Sequence, residues 1–208
     1  MASGVRLTTT TGDRSWPALA GMLGVGSVLA WWWPAALVDW QPQLAGSEPW
    51  RAWTAAFVHW SALHLAANLA GAAVVGALGV AARLPPQMAL AWFIAWPLTH
   101  FPLLLRPELA HYGGLSGVLH AGVAVVAVGL LARQRGRQRL IGAAIAAGLL
   151  AKMALEEPWG TLLRQGGGWD IKVAPIAHAT GALAGAVCAG LTLWLRPPPA
   201  ARPSTSSF

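Results

Sequence analysis

Long apolar stretches alternate with short polar ones along this chain. The rhythm predicts six membrane spans, at about 17–37, 62–81, 87–105, 115–132, 140–155 and 173–195. Each approaches the ~20 residues that carry a helix across a ~30 Å hydrocarbon layer. Residues 1–15 are polar and threonine-rich and read as a cytoplasmic tail. Residues 16–196 read as one six-span membrane domain, and 197–208, which follow Arg196 and open with three prolines, as a second cytoplasmic tail. The expected fold class is all-α, a polytopic six-helix bundle. The first apolar stretch has some features of a signal peptide, but it is too long, is rich in tryptophan and lacks a small-residue cleavage site. It is read as a retained span.

Composition sharpens this picture. The chain is 56% hydrophobic and only 10% charged, against about 25% charged in soluble domains, and its mean hydropathy is +0.53. Thirteen tryptophans suit a membrane protein, because the indole ring favours the water–lipid boundary. Trp31, Trp32, Trp33 and Trp40 cluster where the first span is expected to end. The net charge of +7 does not point to nucleic acid, because the arginines are sorted by side. With the N-terminus inside, nine (Arg6, Arg14, Arg83, Arg133, Arg135, Arg137, Arg139, Arg196, Arg202) fall on the inner side and three (Arg51, Arg106, Arg164) on the outer. That is a positive-inside bias. The run from Arg133 to Arg139 reads as an anchor to anionic lipid. Cys188 is the only cysteine, so no internal disulfide forms; in its apolar helix it reads as a packing residue.

Three small polar clusters interrupt the apolar stretches: His59 to Asn68, Gly113 to Gly117, and Ala177 to Gly181. Polar groups at membrane depth are costly and are functional candidates by default. The charge-derived orientation sets all three on the outer side at similar depth, as one shared site requires. Ser116, in Gly-Gly-Leu-Ser-Gly, is a candidate nucleophile. Alone, a serine at a helix start is also what an N-cap or a helix contact looks like. His178 is the natural base for it. Ala177, Gly181 and Gly185 on the last span, and Gly117 and Ala121 on the fourth, form small-residue stripes that let two helices pack closely and bring Ser116 to His178. No acidic residue is placed to complete a triad, so a Ser–His dyad is expected. His64 and Asn68 share a helical face at i, i+4 and suit donation to an oxyanion. His59 reads equally as a loop hydrogen bonder. No His-Glu-x-x-His occurs and no carboxylate neighbours His64 or His178 in sequence, so no metal site is expected, and no cofactor.

Taken together these residues resemble the rhomboid intramembrane serine proteases over about residues 45–195. Trp50-Arg51 precedes His59 by the spacing of the rhomboid Trp-Arg loop motif. His59, His64 and Asn68 match the family's His-x4-His-x3-Asn. Gly114-Leu115-Ser116-Gly117 matches its nucleophile motif, and Ala177-His178-x-x-Gly181-x-x-x-Gly185 its base helix. The resemblance implies a six-span rhomboid-like bundle, Ser116 as nucleophile, His178 as base, and His64 with Asn68 in the oxyanion hole. It also implies that the loop with Trp50 and Arg51 lies partly in the membrane. One position departs: where many rhomboids carry a tyrosine stacked on the base, this chain has His120. That residue is set to stack on His178 or tune it, to bridge helices, or less readily to act as an alternative base.

A narrower resemblance is to the rhombosortases. It rests on Glu48-Pro49-Trp50-Arg51, on the Gly-Leu-Ser-Gly-Val-Leu-His120 run, and on Lys152 with Glu156 late in the fifth span. It implies a bacterial cytoplasmic-membrane enzyme with its site toward the periplasm. Its partners would be membrane-anchored proteins bearing a C-terminal Gly-Gly-type sorting signal with a transmembrane helix, together with the lipid bilayer, and no nucleic acid. Lys152 and Glu156, at i, i+4, read as a mutual salt bridge or as a contact to that signal or to a lipid head group. Residues 157–169 read as a gate or a connector. The alternative function is a catalytically inactive rhomboid-like protein that binds membrane clients. A small transporter is disfavoured, since no acidic residue lies mid-span and no inverted repeat is evident.

Overall fold

The computed structural model describes residues 14–165 and 168–195. The expected tails, apart from Arg14 and Ser15, and Gly166 and Gly167 of the outer loop lie outside the described residues. Those described form seven α-helices and several short 3₁₀ turns, with two isolated backbone bridges in place of any strand. The helices are α1 (Ser15–Ala30), α2 (Arg51–Thr54), α3 (Ala62–Ala81), α4 (Pro86–Leu98, continued by turns to Leu105), α5 (Ser116–Arg133), α6 (Gly136–Glu156) and α7 (Pro175–Leu195).

Five helical segments, over 62–81, 86–105, 116–133, 136–156 and 175–195, are long and apolar enough to cross a membrane. The chain is therefore a multi-pass membrane protein. The expected first span, 17–37, is corrected: α1 has 16 residues and stops at Ala30, where the chain turns through Trp31 to Trp33 into Pro34. The apolar run outlasts the helix because the residues beyond the turn are themselves tryptophan, alanine and leucine. The fifth span begins four residues earlier than expected, at Gly136, so Arg137 and Arg139 sit in its first turn. It ends where Glu157 turns left-handed (φ 47°) ahead of Pro158.

The centre of the bundle is α5, with eleven buried residues. It packs on α7, α6, α4 and α3. By contrast α6 fully buries only Gly142, with Ile145 partly buried against the core, and most of its other residues are exposed. Not every tryptophan belongs to the boundary. Trp16 and Trp92 are fully buried and stack at 5.7 Å, and Trp92 Nε1 donates to the Val118 carbonyl at 2.8 Å. Trp40 is also fully buried, a correction to its reading as part of a boundary cluster, while Trp31, Trp32 and Trp33 stay exposed.

Trp40 anchors a second apolar cluster with Ala52, Ala55, Leu103, Leu109, Tyr112 and Ala177. Its N–H donates to the Tyr112 carbonyl at 2.7 Å, and the Tyr112 N–H returns the bond at 2.9 Å. The Gly114 N–H donates to the Ala55 carbonyl at 2.9 Å. The irregular segment between α1 and α3 thus satisfies the backbone of the segment that delivers Ser116, as non-helical chain near a membrane must be satisfied.

Candidate active site

Ser116 is the first residue of α5, and Leu115 rather than Ser116 occupies its N-cap. His178 lies in the first turn of α7, nearer the helix start than expected because α7 begins at Pro175. The two helix starts meet because the facing positions carry no side chain. A Cβ on Gly117 would come within 2.7 Å of the Ala177 carbonyl oxygen. One on Gly181 would overlap the Gly117 carbonyl, and one on Gly185 that of Ala121. Across this contact Ser116 Oγ lies 3.0 Å from His178 Nε2.

His178 has a second partner that the sequence reading did not place there. Its Nδ1 lies 2.7 Å from Glu156 Oε2, at the last residue of α6. The expectation that no acidic residue completes a triad is corrected: Glu156 completes the geometry of one. The same carboxylate pairs through Oε1 with Lys152 Nζ. A carboxylate only accepts, so in the neutral ring Nδ1 carries the proton and Nε2 presents its lone pair to the Ser116 hydroxyl.

His120, four residues after the serine, stacks on His178 with ring centroids 4.1 Å apart and planes 10° from parallel. Its Nδ1 donates to the Ser116 carbonyl at 2.7 Å. The nitrogens of His120 and His178 and a Glu156 oxygen cluster within 4.8 Å, close enough to ask whether they hold a metal. Imidazole lone pairs lie in the ring plane, and near-parallel stacked rings do not converge on one ion. Both His178 nitrogens are already engaged.

His64 and Asn68 are buried one turn apart on α3. Among the described residues, His64 Nδ1 and Asn68 Nδ2 have no hydrogen-bond partner. Buried polar groups are normally satisfied, and these two belong to residues that line the same cavity as Ser116 and His178. Ser61 caps α3, its Oγ accepting from the His64 N–H at 3.1 Å. Gly114 adopts φ 129°, and a Cβ there would stand 2.9 Å from His64 Nε2, so this position needs glycine on both counts.

The cavity these residues share holds about 660 Å³ and is open on one side. Lys152 and Glu156 line it, so the pair faces the site rather than only the surroundings. Trp169, Arg164 and Lys172 of the 157–174 loop line it too. That loop is tied to the α3 cap by a 2.7 Å hydrogen bond from Ser61 Oγ to Asp170 Oδ1.

The remaining expected residues stand behind the site. His59 bonds the Phe57 carbonyl through Nδ1 at 3.0 Å and packs its ring against that of His64 at 4.8 Å. Burial pulls its pKa below 6.5, so it is neutral at pH 7. Trp50 is exposed, whereas the Arg51 guanidinium is buried. Arg51 holds Glu48 at 2.5 Å, the Asp39 carbonyl at 2.9 Å, the Ala36 carbonyl at 3.1 Å and the Asp39 carboxylate at 3.3 Å. Asp39 in turn bonds His111 at 2.7 Å.

Two residues escaped the sequence reading. Asp39 gave no signal, because loop partners have no periodicity. Tyr112, the chain's single tyrosine, sits four residues before Ser116. It is buried, lines the cavity, and turns its hydroxyl toward Ser116 and Gly117, with burial pushing its pKa up to about 12. It is a neutral phenol at any working pH.

No curated protein matches the chain. A family model, the Rhomboid domain, matches residues 46–195, a stretch that holds every residue of the Ser116 cavity. The chain therefore belongs to the rhomboid family, which is known for intramembrane serine proteases.

Proposed function

We propose that the chain is an intramembrane serine endopeptidase of rhombosortase type. It would cleave the C-terminal Gly-Gly-type sorting signal of membrane-anchored secreted proteins near the outer face of a bacterial cytoplasmic membrane. The observation that carries the peptidase reading is the 3.0 Å approach of Ser116 Oγ to His178 Nε2, with the buried side chains of His64 and Asn68 lining the same cavity. The sorting-signal specificity rests on the narrower motif resemblance. The excess of arginine on one side supports cytoplasmic termini and a periplasm-facing cavity.

In this reading Ser116 Oγ attacks the scissile carbonyl carbon and passes its proton to His178 Nε2. The carbonyl oxygen becomes an oxyanion, held by His64 Nδ1–H, Asn68 Nδ2–H and the Ser116 amide, each such donor contributing about 2.7–4 kcal/mol in the transition state. His178 then gives its proton to the leaving amine as the C–N bond breaks, leaving an acyl-enzyme on Ser116. Water attacks that ester, its proton going to His178 and thence to Ser116 Oγ, and the acid product departs. An amine in place of water would give transpeptidation by the same proton steps.

The test is fluorophosphonate labelling of purified, detergent-solubilised protein, comparing wild type with Ser116→Ala and His178→Ala. Labelling that needs both residues is expected, followed by cleavage of a Gly-Gly-tailed membrane substrate. A well-folded wild type that resists both the probe and a smaller electrophile would instead describe a client-binding protein.

A further inference from the structure

The serine-to-histidine contact does not end at the histidine. Of the two nitrogens of His178, Nε2 meets Ser116 and Nδ1 meets Glu156 Oε2 at 2.7 Å. The carboxylate is fixed from its other side by Lys152, one turn earlier on α6. It has one oxygen for the lysine and one for the imidazole. Glu156 is half-buried, and its partner ring is buried and clamped face-on by His120. Stacking fixes the plane of the ring. It does not choose the flip state or the tautomer, since a half-turn about Cβ–Cγ, which would put Cδ2 and Cε1 where Nδ1 and Nε2 stand, keeps the ring in the same plane. The carboxylate makes that choice, because only the Nδ1–H tautomer satisfies it.

We infer that Glu156 is the positioning residue of a Ser116–His178–Glu156 triad, with Lys152 as its buttress. The inference rests on the peptidase reading above. Glu156 holds His178 in the Nδ1–H tautomer before the attack. When His178 takes the Ser116 proton and becomes an imidazolium, the carboxylate faces the new positive charge. No proton passes to Glu156, and the Nδ1–H bond is kept throughout. Such a carboxylate in other serine hydrolases accounts for a large share of the rate. Because α6 buries only Gly142, this bond is also one of the ties between the outer end of α6 and α7. The base is thus fully oriented when that end of α6 is docked.

The experiment has two arms on the full-length, detergent-solubilised protein. In the first, the rate of fluorophosphonate labelling is compared for wild type, Glu156→Gln, Glu156→Ala and Lys152→Ala, with Glu157→Gln as the control. Glu157 is the next residue and pairs with Arg164 instead. Labelling about 10²- to 10⁴-fold slower is expected for both Glu156 variants, with a smaller loss for Lys152→Ala and none for Glu157→Gln. In the second arm, histidine-¹⁵N spectra are recorded on Ser116→Ala protein, with His178 assigned by its absence from a His178→Gln sample. A protonated Nδ1 with a low-field proton resonance is expected, and its loss on adding Glu156→Gln. The second arm needs no turnover, and its first reading, the Nδ1–H signal in the Ser116→Ala protein, needs no Glu156 variant.

Absence of the low-field Nδ1–H signal overturns the inference. So does wild-type labelling by both Glu156 variants, which leaves the Ser–His reading standing. Slow labelling with an unchanged His178 tautomer makes Glu156 merely structural and overturns it as well. A folded wild type that never labels at Ser116 removes the peptidase reading, and this inference with it.

Discussion

Replacing Gly181 by alanine tests whether close helix packing is what makes the serine reactive. A methyl group at Gly181 would overlap the Gly117 carbonyl oxygen, with the carbonyl carbon 2.7 Å and the Gly117 Cα 3.2 Å away. The obstacle is backbone, so no side-chain rotation relieves it. Carbon–carbon contacts settle at about 3.5–4.0 Å, so α5 and α7 must part by roughly 1 Å at this level. Ser116 adjoins Gly117, and His178 lies one turn from Gly181. Their 3.0 Å contact therefore opens to about 4 Å, outside hydrogen-bond range. A displacement of that size costs about 10²-fold in rate, and the overpacking costs about 1–3 kcal/mol in stability. The assay is the fluorophosphonate labelling rate beside thermal unfolding of the same sample. Gly190→Ala is the control, because no atom lies within 4 Å of a Cβ at that position of the same helix. Labelling of Gly181→Ala at the wild-type rate would refute the claim that the glycine contact sets the distance.

Three further outcomes are expected. Asn68→Ala and His64→Ala should each lower kcat by about 10²–10³-fold with KM nearly unchanged, the loss of one oxyanion donor; a change confined to KM in steady-state cleavage would remove that role. Arg51→Ala should destabilise the protein by about 1–3 kcal/mol, because it removes the guanidinium from the Asp39 and Ala36 carbonyls and leaves the buried Asp39 carboxylate only His111 and Gln41; an unfolding midpoint within error of wild type would show that the outer-loop network carries no load. His59 has its pKa drawn below 6.5 by burial, so the unfolded chain binds its proton first as pH falls. Its contribution is therefore a stability loss that grows below about pH 6.5, and His59→Gln should flatten the acid limb of the unfolding-midpoint profile; an unaltered limb would contradict it.

The parts of the fold and site that were legible share one property: each announces itself against its own neighbours. Helices α3, α4, α5, α6 and α7 were readable because long apolar runs stand between charges. Ser116, His178, His64 and Asn68 were readable because they are polar within such runs. The α5–α7 contact followed from small residues at i, i+4 spacing, a local pattern with one physical use. What was not legible depends on where a second segment lies. Hydropathy carried the first span to Leu37, since it scores Trp31 to Trp33 as apolar and is blind to the turn before Pro34. It scored Trp16, Trp40 and Trp92 like any tryptophan, though all three are fully buried. Asp39 lies twelve residues from Arg51 in irregular chain, where no period marks a partner.

Glu156 shows most clearly how a local rule can be correct and still hide a second contact. The i, i+4 spacing to Lys152 predicts a salt bridge, and the bridge is there. Once a carboxylate has an adequate partner in its own helix, sequence offers no reason to seek another. A carboxylate has two oxygens, however, and the lysine occupies one. Whether the other meets water, lipid or His178, 22 residues away, is decided by the docking of α6 against α7, and α6 buries only one residue by which that docking could have been read. The salt bridge also makes the longer contact affordable. A lone carboxylate this near the membrane interior would cost a few kcal/mol, whereas one already paired with Lys152 arrives at His178 with its charge compensated and its orientation set. The pair that looks like surface decoration in the sequence is the means by which a charged group reaches the buried imidazole of His178.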